Sequence, residues 1–411
     1  MLRFAPSPTG DMHVGNLRVA LFNYICSIQR EEPLLIRIDD TDIERNIPGK
    51  EKEIFEILGL FGIEYQEQQI QSNNLRFHRA MALQLLQDKK AFNCFCTPEP
   101  LEAKRYNGAC ENLPAEEVID NPLPFTIRLK KPNHPITVTD IIKGESTFTP
   151  DEIDNFILMS AKKYPTYNFA CAVDDMLCDI SLVIQGEEHL TDTPKQIAIH
   201  EALGYTKKVE YAHLPILLGE TVSIKWLLEE GFLPEAISNY LILLGNKTPC
   251  DIFTLQEAIK WFDLQSLSKD PIHFDIEKLR AINREHLRGL DPKELSRYVG
   301  FADEEIGNLA KLFLEDASTL KELRVKVGAV FAPKNLPNEY KEEFERLRDL
   351  TLKAPHFDDY ESYKTYLIDQ SGLQGENLLK PLRHLLSGAE HGPEMADLYM
   401  YIKNYLKEVA K

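Results

Sequence analysis

The chain contains no run of about 18 apolar residues, so nothing in it reads as a membrane span. Its first ten residues (MLRFAPSPTG) lack the apolar stretch of a secretory signal, which points to the cytoplasm. Seven cysteines in 411 residues do not make a disulfide scaffold. An excess of basic charge is missing too. Lys and Arg number 47 against 65 Asp and Glu, for a net charge of −18. That excludes a DNA coater held by charge alone and leaves nucleic acid only a local basic face. No fixed repeat and no low-complexity tract occurs. What is present, 43% hydrophobic and 27% charged residues, is globular, and at roughly 100–200 residues per domain the length makes more than one domain.

Residues 1–90 alternate strand and helix patterns. Leu2–Ala5 is a short apolar start halted by Pro6 and Pro8, a helix pattern runs from about His13 to Ile28, and Leu34–Ile38 is a compact strand. A second helix pattern spans about Lys50–Gly62. This order implies a parallel α/β sheet, whose ligands sit at the carboxyl ends of its strands. Both the Pro-Ser-Pro-Thr-Gly turn and Asp39-Asp40-Thr41-Asp42 fall there. Residues 91–164 read as an insertion, with a cysteine cluster, many prolines and short β-like runs (Phe125–Leu129, Ile136–Val138). Residues 165–235 return to α/β character, with Leu182–Ile184 a strand and Thr193–Ala202 a helix. From about Trp226 nearly everything has helical spacing, as in Leu336–Leu352 and Met395–Val409.

Thr9-Gly10 followed by His13-Val14-Gly15-Asn16 delivers the chain into a helix N-terminus. Free N–H groups and a partial positive charge there suit a phosphate, Gly15 permits close approach, and His13 can donate to a phosphate oxygen. A bare His-x-Gly pattern more often marks a plain capped helix. The wider string carries more. Arg3-Phe4-Ala5-Pro6-Ser7-Pro8-Thr9-Gly10 with His13–Arg18, then Arg37–Asp42, Tyr164–Phe169, Gly186-Glu187-Glu188-His189, Thr193–Gln196, His213-Leu214-Pro215, Phe274-Asp275, Asn283-Arg284-Glu285 and Pro381-Leu382-Arg383 follow one another. Together they resemble the bacterial-type glutamyl-tRNA synthetases, class I aminoacyl-tRNA synthetases, over essentially the whole chain. His13–Asn16 stands where that family has its HIGH motif.

The resemblance implies a Rossmann-like parallel-sheet catalytic domain in two halves (1–90 and 165–235) around an α+β insertion (91–164) that binds the acceptor end. An all-helical C-terminal region follows, with a stem-contact part (236–300) and an anticodon-binding domain (301–411). It implies attack of glutamate on the α-phosphate of ATP, accompanied by Mg²⁺, then transfer of the glutamyl group to the 3′ end of tRNA(Glu) or tRNA(Gln), by a monomer. Such chemistry needs positioning and stabilisation of phosphate charge more than an acid or base. The resemblance makes His13 and Asn16 catalytic, and Thr9, His13, Gly15, Asn16, Glu188 and Leu214 the ATP contacts. It makes Arg3, Ser7, Asp39, Tyr167 and position 185 the glutamate contacts. Arg3 suits a carboxylate by its bidentate fork and Asp39 suits the ammonium. Taken singly, each has an ordinary reading as a surface ion pair, core aromatic or solvated loop.

Three departures stand out. Asp39 replaces the family's usual Glu, keeping the charge with a shorter reach. Gln185 replaces an Arg that helps read the substrate's side-chain carboxylate, and losing a charge-assisted bond typically costs about 1.5–3 kcal/mol. Third, after His213–Leu218 the family carries a loop with the KMSKS motif, whereas here Gly219-Glu220-Thr221-Val222-Ser223 joins directly to Ile224-Lys225-Trp226. Two readings are open. Either the chain dispenses with the loop and binds tRNA as a weak paralogue, or the loop belongs to the gene product and is absent from these 411 residues. Close flanks and a similar shortening at Leu101–Tyr106 favour the second. A glutaminyl-tRNA synthetase, suggested by Asp39, is disfavoured by the helical C-terminal half, and a tRNA-modifying homologue by the chain's length.

Cys94-x-Cys96 with Cys110 has zinc-ligand character, since three thiolates leave one tetrahedral position to fill. Some family members bind zinc through Cys-x-Cys…Tyr-x-x-x-Cys, and Tyr106–Cys110 fits that pattern. The alternative is three buried thiols behaving as small hydrophobes. Arg280, Arg284 and Arg288 lie four apart and share a helix face, where they are candidates for phosphate contacts.

Overall fold

The structure is a computed structural model that describes residues 1–96, 106, 108–219, 222–334 and 340–411. Leu101–Arg105, the Glu220-Thr221 junction and the start of the Leu336–Leu352 pattern lie outside the described residues. The chain divides into two compact units, residues 1–224 with 241–274, and residues 225–240 with 275–411.

The first unit begins β1 (Leu2–Phe4), α1 (Val14–Arg30), β2 (Leu34–Ile38), α2 (Lys50–Leu60), β3 (Glu67–Ile70), α3 (Leu75–Gln87), much as the apolar periodicity predicts. Next come β4 (Ala91–Cys94), α4 (Ala115–Ile119), β5 (Thr126–Leu129), β6 (Ile136–Asp140), β7 (Gly144–Phe148), α5 (Pro150–Ile153) and β8 (Ile157–Met159). Then α6 (Tyr167–Leu177), β9 (Leu182–Gly186), α7 (Thr193–Ala202) and β10 (Glu210–Leu214) close the sheet. Seven strands run in the order β3-β2-β1-β9-β10-β6-β7, parallel except for β7. This is the expected Rossmann-like α/β sheet. The insertion divides: β4, β5 and β8 form their own antiparallel sheet, while the β6–β7 hairpin extends the main one. The hairpin's polar face (Thr137 against Thr147, Thr139 against Glu145) hides that destination from an apolar-run reading.

Register decides which side chains share a face. Arg3 pairs with Leu35, Leu2 with Leu182, Gln185 with His213 and Asp140 with Tyr211. Period two then puts Leu35, Val183, Tyr211 and Val138 on one face, buried together. Towards the carboxyl ends the same face turns polar, with Arg37 and Asp39, Arg3, Gln185, His213 and Asp140.

The second unit is helical. Met395–Val409 resolves into two helices, Met395–Ile402 and Leu406–Val409, and the Leu336–Leu352 pattern into Lys341–Lys353. Helices Pro292–Tyr298 and Glu304–Leu312 pack so closely that a Cβ on Gly307 would lie 1.7 Å from the Pro292 carbonyl oxygen. We expect Gly307→Ala to lower stability by about 1–3 kcal/mol, because such overpacking outweighs the roughly 1 kcal/mol Ala gains as a helix former. An urea unfolding curve with an unchanged or raised midpoint would show that the helices do not meet through this glycine.

Candidate active site

The polar end of the sheet face is built around two arginines. Arg37 Nε lies 2.7 Å from Asp39 Oδ1, and its Nη1 lies 2.6 Å from Asp175 Oδ1. Arg3 Nη2 lies 3.3 Å from Asp175 Oδ2, and Cys171 donates to Asp39 Oδ2 at 3.3 Å. All five are buried, with Asp175 and Cys171 delivered by α6 onto the strands. Burial opposes charge on Arg37, but Asp39 and Asp175 outweigh it and hold the guanidinium protonated. Burial would raise the Asp175 carboxyl, yet Arg3 and Arg37 bring it below its ordinary value. Burial pushes the Asp39 carboxyl up despite Arg37, so a second cation beside it, such as an ammonium, meets an unfilled electrostatic demand.

The first turn is organised differently from the expectation. His13 is the N-cap of α1, and its Nδ1 accepts from the N–H groups of Gly15 (3.1 Å) and Asn16 (3.4 Å). The His13 N–H in turn donates to Asn16 Oδ1 at 3.2 Å. Val14 N–H donates to the Val222 carbonyl, part of a short antiparallel bridge between 12–14 and 222–224. The N-terminal amides of the helix are therefore occupied, not free for phosphate as the spacing implied. Nδ1 as acceptor places the hydrogen of a neutral ring on Nε2, which points away from the cap. Burial keeps that ring neutral, lowering its pKa against the pull of Glu188. With Oδ1 committed, Asn16 likewise turns its NH₂ outward. Gly15 is needed for the cap itself, since a Cβ there would come 3.0 Å from the His13 ring.

Next along the sheet, Gln185 Nε2 lies 3.0 Å from His213 Nε2, and His213 Nδ1 lies 2.6 Å from Asp140 Oδ2. Burial would raise the Asp140 carboxyl, but bonds from His213 and from the Ile142 and Lys143 amides hold it below its ordinary value.

Two cavities open on this region. One, about 1080 Å³, is lined by Ser7, Thr9, Asp39, Tyr167 and His189, among others. The Tyr167 hydroxyl lies 3.4 Å from His189 Nδ1. The other, about 290 Å³, is lined by His13, Gly15, Asn16, Glu188 and Leu214 together with Phe274. The structure thus divides the expected contacts between two cavities, Thr9 falling with the amino-acid set, while Arg3 and Gln185 are buried. Arg37, Asp175, Cys171, His213 and Asp140 were not singled out from the sequence. Arg37 was legible two residues before Asp39; the rest depend on contacts 28 to 172 residues apart.

Cys94, Cys96 and Cys110 bring their sulfurs within 4.8 Å of one another, with Cys96 and Cys110 3.5 Å apart. Tetrahedral zinc with Zn–S near 2.3 Å sets sulfurs roughly 3.8 Å apart, so the donor set fits. The Tyr106 hydroxyl lies 3.4 Å from Cys94 Sγ, inside the cluster. Burial and the neighbouring thiols push the phenol up, which makes it the weaker fourth donor. In the second unit the three spaced arginines do share a face, but protein groups take them. Arg280 meets Glu322, Arg288 meets Glu315, and Arg284 donates to Ser318 Oγ. A phosphate reaching these arginines would therefore compete with protein partners, the Arg288–Glu315 pair being an exposed and weak one.

The chain is similar to known proteins over its whole length. The family model "tRNA synthetases class I (E and Q), catalytic domain" matches residues 1–281. Glutamate–tRNA ligase 2 of Sulfurimonas denitrificans is 60% identical over 432 aligned positions, covering all of both chains. Glutamate–tRNA ligase 1 of Nitratiruptor sp. is 54% identical, also over both full lengths. A glutamate–tRNA ligase from Elizabethkingia meningosepticum, solved with its amino acid, superposes with a TM-score of 0.83 at 26% identity, covering 100% of this chain and 98% of that one.

Removing one carboxylate from the buried network isolates its cations. Asp175→Asn is expected to cost about 3–5 kcal/mol of stability in urea unfolding. Because the folded pKa of Asp175 is lowered, its contribution is full above the unfolded value and fades as pH falls below about 4. The variant should lose that part of the acid sensitivity, and an unchanged acid profile would discount the ion network.

Proposed function

The chain belongs to the class I tRNA synthetases of the glutamate and glutamine type, and from that premise we propose that it activates glutamate with ATP and transfers it to the 3′ end of tRNA(Glu), tRNA(Gln) or both. The observation that carries the proposal is the capping box of α1. It commits one end of His13 and of Asn16 to the backbone and leaves the His13 Nε2–H and the Asn16 NH₂ as donors beside the 290 Å³ cavity. Two neutral donors held by the helix stabilise charge growing on phosphate oxygens without reorganising. ATP would lie along His13, Gly15, Asn16, Glu188 and Leu214, and Mg²⁺ would be held chiefly by its phosphate oxygens. The glutamate ammonium would meet Asp39 under Tyr167 and beside Ser7, with its side chain towards Arg3 and Gln185. Arg3 is already shared with Asp175, so its remaining N–H donors, not a free fork, are what a substrate finds.

The insertion and the helical unit are assigned to tRNA. A cavity of about 720 Å³ in the helical unit, lined by Tyr340, Tyr360, Lys364, Arg383, His384 and His391, offers stacking and donor groups of the kind unpaired bases use. Among the described residues no helix is long and apolar enough to cross a membrane; a monomer working in the cytoplasm is part of the same proposal. A second reading, a chain that binds tRNA without charging it, draws on the short junction after Gly219. The relatives bear on this, because the alignment of 432 positions exceeds the 411 residues here by 21.

Charging of total tRNA with labelled glutamate or glutamine, using the product of the native gene, tests the assignment. Glutamate charging, lowered about 10²–10³-fold in His13→Ala as for loss of one preorganised donor, is expected, with an intact mass above 47.2 kDa. tRNA binding without charging by either amino acid would favour the second reading. For the cysteine cluster, elemental analysis should find one zinc per chain, lost in Cys110→Ser. A metal-free, equally stable wild-type protein would return the three thiols to the core.

A further inference from the structure

Position 185 is where the family's arginine has gone, and its surroundings show what stands in for the charge. Asp140 accepts four N–H groups: Ile142 and Lys143 on Oδ1, the His213 backbone and His213 Nδ1 on Oδ2. Four donors converge on it, so it is an acceptor, and Nδ1 of His213 carries a hydrogen. A neutral ring then offers only a lone pair at Nε2. Two groups lie 3.0 Å from that nitrogen, the Gln185 amide nitrogen and the Thr193 hydroxyl. With the hydroxyl donating to the His189 carbonyl at 3.3 Å, the Gln185 NH₂ meets the lone pair and also reaches Thr193 Oγ1 at 3.4 Å. Both amide hydrogens are directed at protein groups, and among the described residues the carbonyl oxygen has no partner. In this state the free end of Gln185 is an acceptor. It suits the NH₂ of a side-chain amide and repels a side-chain carboxylate.

A second proton, on Nε2 of His213, reverses the arrangement. The ring donates to the Gln185 oxygen, the amide turns over, and its NH₂ faces outward to a carboxylate. The imidazolium, paired with Asp140, then supplies from one strand further along the charge that the arginine would have brought. Asp140 (β6), Gln185 (β9) and His213 (β10) sit on three adjacent strands, so the sheet register holds the series in line.

We infer that Asp140 and His213 are positioning residues that decide, through the Gln185 amide, whether the amino-acid site takes a side-chain carboxylate or a side-chain amide, and that glutamate binds with one proton taken up at His213. The inference rests on the reading that position 185 faces the substrate's side chain. Charged groups around the ring are Asp140, the Lys143–Glu187 pair (2.7 Å) between the turns after β6 and β9, and His189 with Asp192 ahead of α7. Of these, Asp140 bonds to the ring.

The test combines a specificity ratio with a proton count. Charging efficiency, kcat/KM, is measured for glutamate and glutamine in the wild type, Gln185→Arg, His213→Asn and Asp140→Asn. His213→Asn and Asp140→Asn are expected to lower the glutamate-to-glutamine ratio about tenfold or more, the scale of a lost charge-assisted bond. Gln185→Arg should raise the ratio and make it indifferent to an added His213→Asn. Because either relay variant may fold poorly, glutamate binding to the unaltered protein is also titrated calorimetrically in two buffers of different ionisation enthalpy. About one proton should enter per glutamate, and none in Gln185→Arg. No proton uptake by the wild type, or an unchanged ratio in well-folded relay variants while Gln185→Arg still shifts it, overturns the inference and leaves the site intact. A ratio that Gln185→Arg does not move overturns the reading of position 185 itself.

Discussion

Arg37 lies fully buried under α6, and most of the site follows from the need to neutralise it. An unpaired guanidinium there would cost several kcal/mol, so carboxylates must converge on it. Asp39 arrives from its own strand two residues on; Asp175 arrives from α6 and is shared with Arg3 on the neighbouring strand. The four charges sum to zero and tie β1, β2 and α6 together at the carboxyl edge of the sheet. Charge compensation inside the fold thereby leaves an ordered carboxylate, Asp39, at the wall of the large cavity, which is where the proposed function places the amino-acid ammonium.

The nucleotide side obeys a different constraint. A helix start must satisfy its first amides, and here a histidine does so with a ring nitrogen where a hydroxyl or carboxylate is usual. The choice has a chemical consequence. A serine cap would end at its hydroxyl, whereas imidazole spends one nitrogen on the cap and carries the other beyond it as a fixed donor. Capping and the proposed phosphate contact are then one interaction seen from two ends, and Gly15 leaves room for the ring. This is also why the expectation of open helix amides misled: the spacing His-Val-Gly-Asn is as much a capping box as a phosphate cradle.

Strand β2, helices α1 and α7 and the parallel α/β class of the sheet were legible because their apolar runs are unmixed and their boundaries carry Pro or Gly signals. Strands β3 (Glu67–Ile70) and β7 (Gly144–Phe148) were not, since sheet-edge strands with exposed faces need no apolar run. Among site residues, those inside compact strings (Ser7, His13, Asn16, Asp39) could be named, because the family resemblance rests on those strings and carries them residue by residue. Asp175 and Asp140 could not. Their roles exist only once 138 and 73 residues of intervening chain have folded back, and nothing in Asp174-Asp175 says which carboxylate turns inward. The structure sends Asp174 to His78 and Asp175 to the arginines.

The two departures that seemed to weaken the chain differ in kind once the geometry is known. Gln185 lies within a continuous series of partners, Asp140 to His213 to Gln185, so a charge lost at one position has neighbours able to restore it through hydrogen-bond direction. The short junction after Gly219 has no such compensation among the described residues. Its far end bridges to Met12–Val14 and supplies the carbonyl that caps Val14, which stabilises the start of α1 but adds no cation to the nucleotide cavity. A substitution embedded in a hydrogen-bonded series can be absorbed by rearrangement, whereas a chain without the family's loop lysines would need another positive group at the same place. Arg18, the buried arginine nearest by its lining of that cavity, is spent on the carbonyls of Pro215 and Leu244. On the proposed reading position 185 has neighbours that answer for its lost charge, while the nucleotide cavity has no such substitute among the described residues, so the choice between charging enzyme and silent binder turns on phosphate stabilisation.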